Sequence, residues 1–463
     1  MHFEQFYLGC LAHASYMLVS EDEAVVVDPQ RDVEIYLDAA AARRARIRYI
    51  FETHLHADFV SGHKELAART GATIYIGRRA NASFPHVDVQ DGFELRVGNM
   101  RIQVLETPGH TPESICLVVI DEEKSPKPWA VLTGDTLFIG DVGRPDLSRT
   151  HTPVELAGML YDSLHDKVLK LPDDVIVYPA HGAGSLCGRN MRAERSSTIG
   201  TERLTNYALQ IKTREEFTRE LTQNLPTRPD YFLQDAELNR QGASTLSELP
   251  ELTPIAAQEL ASELANGANA LDVRASDRFA AGHVPGSVNI ALSGQFATWA
   301  AIVFGLSAYP IIIADTMEQL SEARVRLARV GIEKARGYLF GGVEAWKQAK
   351  FPLAQVSQIS VQTLSEWQKR PDLSIVDVRR ESEWQSGHIA NALWIPLDKL
   401  ASTPLPVNRG RLIAVHCKSG YRSMIACGLL RRAAFPKVVN VIGGFDAWRA
   451  AGLPEVTREE VTT

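Results

Sequence analysis

Cysteine is scarce in this sequence. Five residues in 463, at Cys10, Cys116, Cys187, Cys417 and Cys427, are too few, too scattered and odd in number to frame a disulfide-held fold. Long apolar runs are missing as well: none approaches the ~18 residues that a bilayer span needs. The stretch from Met1 to Ser20 has no basic leader, apolar core and small-residue cleavage site in succession, so no secretory signal is expected. Nor is there an excess of positive charge. Lys and Arg number 49 against 56 Asp and Glu, a formal net charge of -7, which argues against a general nucleic-acid binder. These absences lead us to expect a cytoplasmic protein without membrane or nucleic-acid partners, in a reducing compartment that keeps a reactive thiol usable.

At ~150 residues per domain the length suits about three domains. Over residues 1–200, short β-rich runs such as Ala24-Val-Val-Val-Asp28, Arg48-Tyr-Ile-Phe-Glu52, Ile74-Tyr-Ile76, Ile102-Gln-Val-Leu-Glu106, Ile115-Cys-Leu-Val-Val-Ile120, Ala130-Val-Leu-Thr133 and Val175-Ile-Val-Tyr178 alternate with helical stretches near 31–45, 62–70 and 153–170. Thr152-Pro153 reads as a helix cap followed by proline in the first helical position. Strands interspersed with helices predict a layered α/β domain. Residues 200–250 are charged and helical and become irregular near 225–230, with a domain boundary at 244–254. Beyond it lies a repeat. Leu271-Asp-Val-Arg274 recurs as Val376-Asp-Val-Arg379, Gly282-His-Val284 as Gly387-His-Ile389, and Gly341-Gly-Val-Glu-Ala-Trp346 as Gly443-Gly-Phe-Asp-Ala-Trp448. A repeat of about 100 residues is a whole domain rather than a solenoid unit. The expected domains are therefore 1–248, 249–355 and 356–463.

Four motifs each follow an apolar strand: Thr53-His-Leu-His-Ala-Asp58, Thr107-Pro-Gly-His-Thr-Pro-Glu113, Thr133-Gly-Asp-Thr136 and Pro179-Ala-His-Gly182. Any one of these histidines, taken alone, is more simply a buried or capping side chain. Four strand ends that all offer His or Asp point instead to a divalent-metal centre.

The combination resembles the metallo-β-lactamase superfamily, on the side of its glyoxalase II-like members, over roughly residues 1–240. That likeness implies a four-layer αββα sandwich with the metal at the sheet edge. The family pattern His-x-His-x-Asp-His ends here in Phe59, where the hydrolases place a ligand of a second metal, so a mononuclear site is expected. Within the group the chain is most similar to the persulfide dioxygenases. The resemblance implies one non-haem Fe(II) held by His54, His110 and Asp135, a facial triad with positions open to O2 and substrate. His56, Asp58 and His181 are expected to orient these ligands without binding the metal. Arg144, in Asp141-Val-Gly-Arg-Pro-Asp146, matches a family arginine that meets the anionic part of the substrate thiol; the plain alternative is an arginine tied to Asp141 or Asp146. Cys187, just past His181, reads more simply as a buried inert thiol than as a sulfur carrier.

In the third domain the strand Leu412-Ile-Ala-Val415 runs into His416-Cys417-Lys-Ser-Gly-Tyr-Arg422, and a helix follows. A cysteine between a strand and a helix N-terminus sits among backbone N–H groups that stabilise a thiolate and lower its pKa. Arg422 adds a fixed positive charge. The Cys-x4-Arg loop, one residue shorter than that of the cysteine phosphatases, resembles the rhodanese family, as do the repeated Asp-Val-Arg and Gly-Gly-x-x-x-Trp motifs. The implied catalytic residues are Cys417 and Arg422, with Lys418, Ser419, Gly420 and Tyr421 binding substrate. The middle domain repeats the pattern with Asp315 in the cysteine position. A carboxylate cannot carry sulfane sulfur, so that domain is expected to be inactive.

The expected fold class is thus α/β: an N-terminal metallo-β-lactamase sandwich and two rhodanese-like domains with parallel sheets. The arrangement resembles persulfide dioxygenase–rhodanese fusions. It implies oxidation of a low-molecular-weight thiol persulfide by O2 to sulfite and thiol, coupled to sulfur transfer through Cys417 that yields thiosulfate, in a homo-oligomer that detoxifies sulfide. Two other readings stay open at this point. One is a metal-dependent thioester hydrolase like glyoxalase II. The other is a non-enzymatic sulfane-sulfur carrier or sensor.

Overall fold

The structure, a computed structural model, describes residues 1–223, 225 and 227–457. The irregular stretch expected at 225–230 includes Pro226, and the third domain's expected end includes 458–463; both lie outside the described residues. The chain forms two compact units, Met1–Leu249 with Leu327–Gly331, and Pro250–Arg326 with Ile332–Thr463.

Two six-stranded sheets build the first unit. In the strand Glu23–Val27, successive side chains point to opposite faces. Val25 and Val27 enter a core shared with Val104, Leu117 and Leu132 of the second sheet. Ala24 and Val26 turn to the other side, onto Val33 and Tyr36 of the helical layer and Leu66 of the helix His63–Thr70. The second sheet does the same in mirror image. Its Val118 and Val131 meet Leu160 and Leu164 of the helix Pro153–Asp166 and Phe217 of the helix Arg214–Thr222. The resulting layers run α, β, β, α, the sandwich expected. Strands buried on both faces explain the continuous apolar runs, and each fully buried Val, Leu or Ile side chain contributes about 1.5–3 kcal/mol. Thr152 caps its helix as expected, and Glu155 completes a reciprocal capping box.

In the second unit the repeat becomes two five-stranded parallel sheets of the same order. The central strand is Ile311–Ile313 in one and Leu412–His416 in the other. Asp272 pairs with Ile313 as Asp377 pairs with His416, so Ala314, and not the expected Asp315, follows the equivalent strand where the other domain has Cys417. Among the described residues no helix is long and apolar enough to cross a membrane.

Candidate functional site

His54 follows the strand Arg46–Glu52 of the first sheet, while His110, Asp135 and His181 come from turns of the second. All four are buried where the strands of the two sheets end. Hydrogen bonds fix how the two candidate ligand imidazoles face. Thr53 gives its hydroxyl proton to Asp28 Oδ2 at 2.8 Å. Its oxygen therefore accepts from His54 Nδ1, 3.0 Å away, and His54 Nε2 is left bare. His110 Nδ1 donates to the carbonyl of Arg144 at 2.9 Å, and its Nε2, buried, has no hydrogen-bond partner. Both Nε2 atoms face Asp135 Oδ2, at 3.8 Å for His54 and 3.3 Å for His110.

Electrostatics match this arrangement. Burial keeps both imidazoles neutral, pushing the pKa of His54 well below the ordinary value and lowering that of His110. Burial opposes the charge of Asp135, yet His181 and His54 hold its carboxyl well below the usual range. The donor atoms of His54, His110 and Asp135 all lie within 4.8 Å of one another. Two neutral imidazoles and one ionised carboxylate, converging with an orphaned buried nitrogen among them, suit a divalent transition metal.

The supporting residues take distinct places. His181 spans two carboxylates, with Nδ1 2.8 Å from Asp135 Oδ1 and Nε2 2.9 Å from Asp58 Oδ2. His56 turns away to Asp28, at 3.2 Å, and Glu52, at 3.8 Å. Phe59 packs its ring over His13 and His56, with centroids 4.1 and 4.4 Å away. Asp58, His181 and Cys187 bring donor atoms within 4.8 Å of one another, as do Asp28, Glu52 and His56. Burial, with Asp58 and Asp135 nearby, pushes the Cys187 thiol well up in pKa and keeps it protonated. Gly143 lies so close over the centre that a Cβ there would stand 2.0 Å from the Asp135 carbonyl oxygen. The Arg144 guanidinium is forked onto Asp146 at 2.6 and 2.8 Å and reaches the Leu186 carbonyl at 3.1 Å.

In the last domain Cys417 ends its strand almost fully buried. Gly420 N–H donates to its Sγ at 3.1 Å, and the hydroxyl of Ser423 lies 3.5 Å away. Phe445 N–H, beyond the Gly-Gly turn, holds the Cys417 carbonyl at 2.7 Å. The helix Tyr421–Arg432 begins behind the loop. Lys418 and Ser419 are exposed at its rim, and Gly420 and Tyr421 are half-buried. Arg422 does not present a free charge to the loop: Glu383 takes it in a two-pronged ion pair. In the middle domain Asp315 stands 3.3 Å from Arg278.

Several supporting residues were not foreseen: Asp28 and Glu52 behind the candidate ligands, Glu383 and Ser423 around the cysteine loop, and the buried His13 beside Phe59. Glu113, which accepts from Leu55 N–H at 3.0 Å, is another. Of these, Asp28, Glu52 and Glu113 lay inside segments singled out by pattern.

Known proteins resemble the chain in sequence and fold. Residues 8–181 match the family model of the metallo-beta-lactamase superfamily, and residues 256–349 and 360–451 match that of the rhodanese-like domain. The mitochondrial persulfide dioxygenase ETHE1 of Homo sapiens is 29% identical over 202 residues, 42% of this chain and 70% of the relative. A hydroxyacylglutathione hydrolase of Francisella tularensis subsp. novicida (strain U112) is 30% identical over 183 residues, 39% of this chain and 68% of the relative. A metallo-beta-lactamase structure from Staphylococcus aureus subsp. aureus COL aligns with a TM-score of 0.65 at 30% identity, covering 73% of this chain and 98% of that one. The chain therefore belongs to the metallo-beta-lactamase superfamily, as a fusion of a domain homologous to the persulfide dioxygenases with two rhodanese-like domains.

Proposed function

We propose that this chain oxidises the outer sulfur of a low-molecular-weight thiol persulfide with O2 and transfers a second sulfane sulfur through Cys417, so that the joint product is thiosulfate. The observation that carries the reading is the pairing, on one chain, of the His54–His110–Asp135 convergence with a cysteine loop of the rhodanese type. The first half-reaction balances as RSSH + O2 + H2O → RSH + SO3²⁻ + 2 H⁺. In the second, sulfite attacks the outer sulfur of a Cys417 persulfide. The S–S bond breaks, thiosulfate leaves and the Cys417 thiolate is regenerated.

His54, His110 and Asp135 would hold one Fe(II), which supplies, when bound, the redox chemistry that dioxygen needs to react with a sulfur anion. The protein's own contribution is orientation. Thr53 and the Arg144 carbonyl fix the two imidazoles through their Nδ1 atoms, and His181 fixes the Asp135 carboxylate, as partners around metal ligands commonly do. With its guanidinium committed to Asp146, Arg144 shapes the loop over the centre; a contact to an anionic substrate would require it to leave that pair. At the second site Gly420 N–H and the start of the helix stabilise negative charge on sulfur as it arrives and departs. Ala314, in the position that follows the equivalent strand, gives the middle domain no nucleophile for this transfer. Joining the two chemistries on one chain raises the effective concentration of sulfite near its acceptor.

Similarity to a hydroxyacylglutathione hydrolase favours thioester hydrolysis as the second reading, and Phe59 weighs against its two-metal form. Oxygen uptake separates the two. Fe(II)-loaded protein supplied with a small persulfide should consume oxygen both as wild type and as Cys417→Ser. The wild type should yield thiosulfate and the variant sulfite. Chelation should stop oxygen uptake and leave sulfur transfer from thiosulfate to cyanide intact. No oxygen uptake at verified iron occupancy would overturn the dioxygenase reading in favour of hydrolysis.

A further inference from the structure

Three bonds that hold the Cys417 loop come from the last domain itself: Glu383 to Arg422, Ser423 hydroxyl to the Gly420 carbonyl at 3.0 Å, and Phe445 N–H to the Cys417 carbonyl. A fourth does not. Tyr421, between the glycine that donates to sulfur and the paired arginine, gives its hydroxyl to the carbonyl of Ala291 in the middle domain at 2.8 Å. Its ring lies against Gly294 of the same segment, where an added Cβ would meet the ring at 3.4 Å. One helical face further on, Gly428 presses so near Val288 that a Cβ would stand 3.2 Å from the Val288 Cα. Arg432, at the end of the helix, reaches Asn269 at 3.0 Å.

The receiving segment, residues 288–294, is itself rigidly built. Asn289 donates to the carbonyls of Asp272, at 3.0 Å, and Arg274, at 2.8 Å. The largely buried Arg326 donates to the carbonyls of Leu292 and Gly294, the latter at 3.1 Å. A domain with Ala314 in place of the cysteine thus presents a braced seat to its neighbour's cysteine loop.

We infer that the middle domain is a positioning element for the reactive cysteine, with Tyr421 as the positioning residue that ties the Cys417 loop to Ala291. The inference rests on sulfur transfer through Cys417 being the activity of the last domain. The mechanical reason is short. Gly420 N–H can address Cys417 Sγ only while the turn into the helix keeps its course, and Tyr421 is the first residue of that helix. Freed from Ala291, the turn samples orientations in which the N–H points elsewhere, and the thiolate and each departing sulfur lose a donor. The Tyr421 side chain was expected to bind substrate, but its hydroxyl is given to Ala291; binding of a small anion then falls to the exposed rim at Lys418 and Ser419, which this tie does not touch. The predicted signature is therefore a fall in kcat with KM unchanged.

The test uses the full-length, metal-loaded chain. Tyr421→Phe removes the hydroxyl and keeps the ring on Gly294. Arg326→Met lies in the other domain and releases the seat. Two readouts are followed: alkylation of Cys417 by iodoacetamide, read by mass spectrometry, and thiosulfate:cyanide transfer. Loss of one hydrogen bond should slow both alkylation and kcat by about three- to tenfold, with KM for thiosulfate unchanged and oxygen uptake with a persulfide unaltered. The same pattern in Arg326→Met, from a residue remote from Cys417, would establish that the middle domain transmits the effect. Wild-type values in both variants would overturn the inference, as would a change in KM alone. If wild-type Cys417 alkylates readily and transfers no sulfur, the transfer reading fails, while the alkylation rates still decide the positioning.

Discussion

Arg422 and Glu383 share two short bonds, Nη1 to Oε2 at 2.6 Å and Nη2 to Oε1 at 2.7 Å. The pair is mostly shielded from water, and the guanidinium holds the Glu383 carboxyl below its ordinary pKa against the opposing effect of burial. The charge following Cys417 is therefore balanced within the domain. Its first task is to anchor the loop to the helix Glu381–Gln385.

That anchoring can be measured. Glu383→Gln leaves a half-buried guanidinium without its counter-charge. Removing one partner of a shielded pair destabilises far more than the pair itself stabilises, on the order of 2–3 kcal/mol here. We expect the last domain to lose that stability and Cys417-dependent transfer to fall more than tenfold. Arg422→Lys should fail to restore either property, because an ammonium cannot reproduce the planar fork. Denaturation and thiosulfate:cyanide kinetics check both outcomes. Wild-type stability in Glu383→Gln would show that the pair is not an anchor.

What was legible in the sequence, and what was not, follows from distance along the chain. His54, His110, Asp135, His181 and Cys417 each stand just after the strand that carries them, so strand and side chain fall in one readable segment. Internal repetition located the middle domain's matching loop but missed its register by one residue: counting back from the Gly-Gly turn reached Asp315, whereas strand pairing puts Ala314 in the place of Cys417. Partnerships were not legible. Glu383 is 39 residues from Arg422, and Asp28 is 25 from Thr53; no local pattern links such pairs. Tyr421 stood inside a recognised motif, yet its partner Ala291 is 130 residues away in another domain. Arg144 shows the limit from the other side. Sequence proximity to Asp146 already offered the ion pair, and the structure forms it.

Phe59 offers a second prediction. Its ring fills the place between His13 and His56 beside the Asp58–His181 pair, where related hydrolases carry a histidine ligand. Asp58 Oδ1 is buried there without a hydrogen-bond partner, while its Oδ2 holds His181 Nε2 at 2.9 Å. Phe59→His would add an imidazole beside the Asp58 carboxylate and the thiol of Cys187, whose donor atoms lie within 4.8 Å of each other. After loading with excess zinc, the variant should bind close to two ions per chain and the wild type close to one, as counted by elemental analysis of the dialysed protein. Equal stoichiometry in both would show that Phe59 does not set the number of metals.

The middle domain should report acid through His283. The imidazole is buried, stacked on Phe279 with centroids 3.8 Å apart, and its Nδ1 donates to the Phe279 carbonyl at 2.9 Å. Burial, helped by Arg431 and Arg274, pushes its pKa down from 6.5 to about 4. The folded state then binds fewer protons than the unfolded state between these values, so stability is full above about pH 6.5 and is lost as pH falls toward about 4. The gap corresponds to about 3 kcal/mol at its limit. His283→Gln keeps a donor for Phe279 and removes the titration. Amide exchange at Val288 and Ile290, corrected for intrinsic rates, should lose protection in the wild type across this range relative to the variant. Parallel pH dependence in the two proteins would mean that His283 is not the group whose protonation loosens the domain.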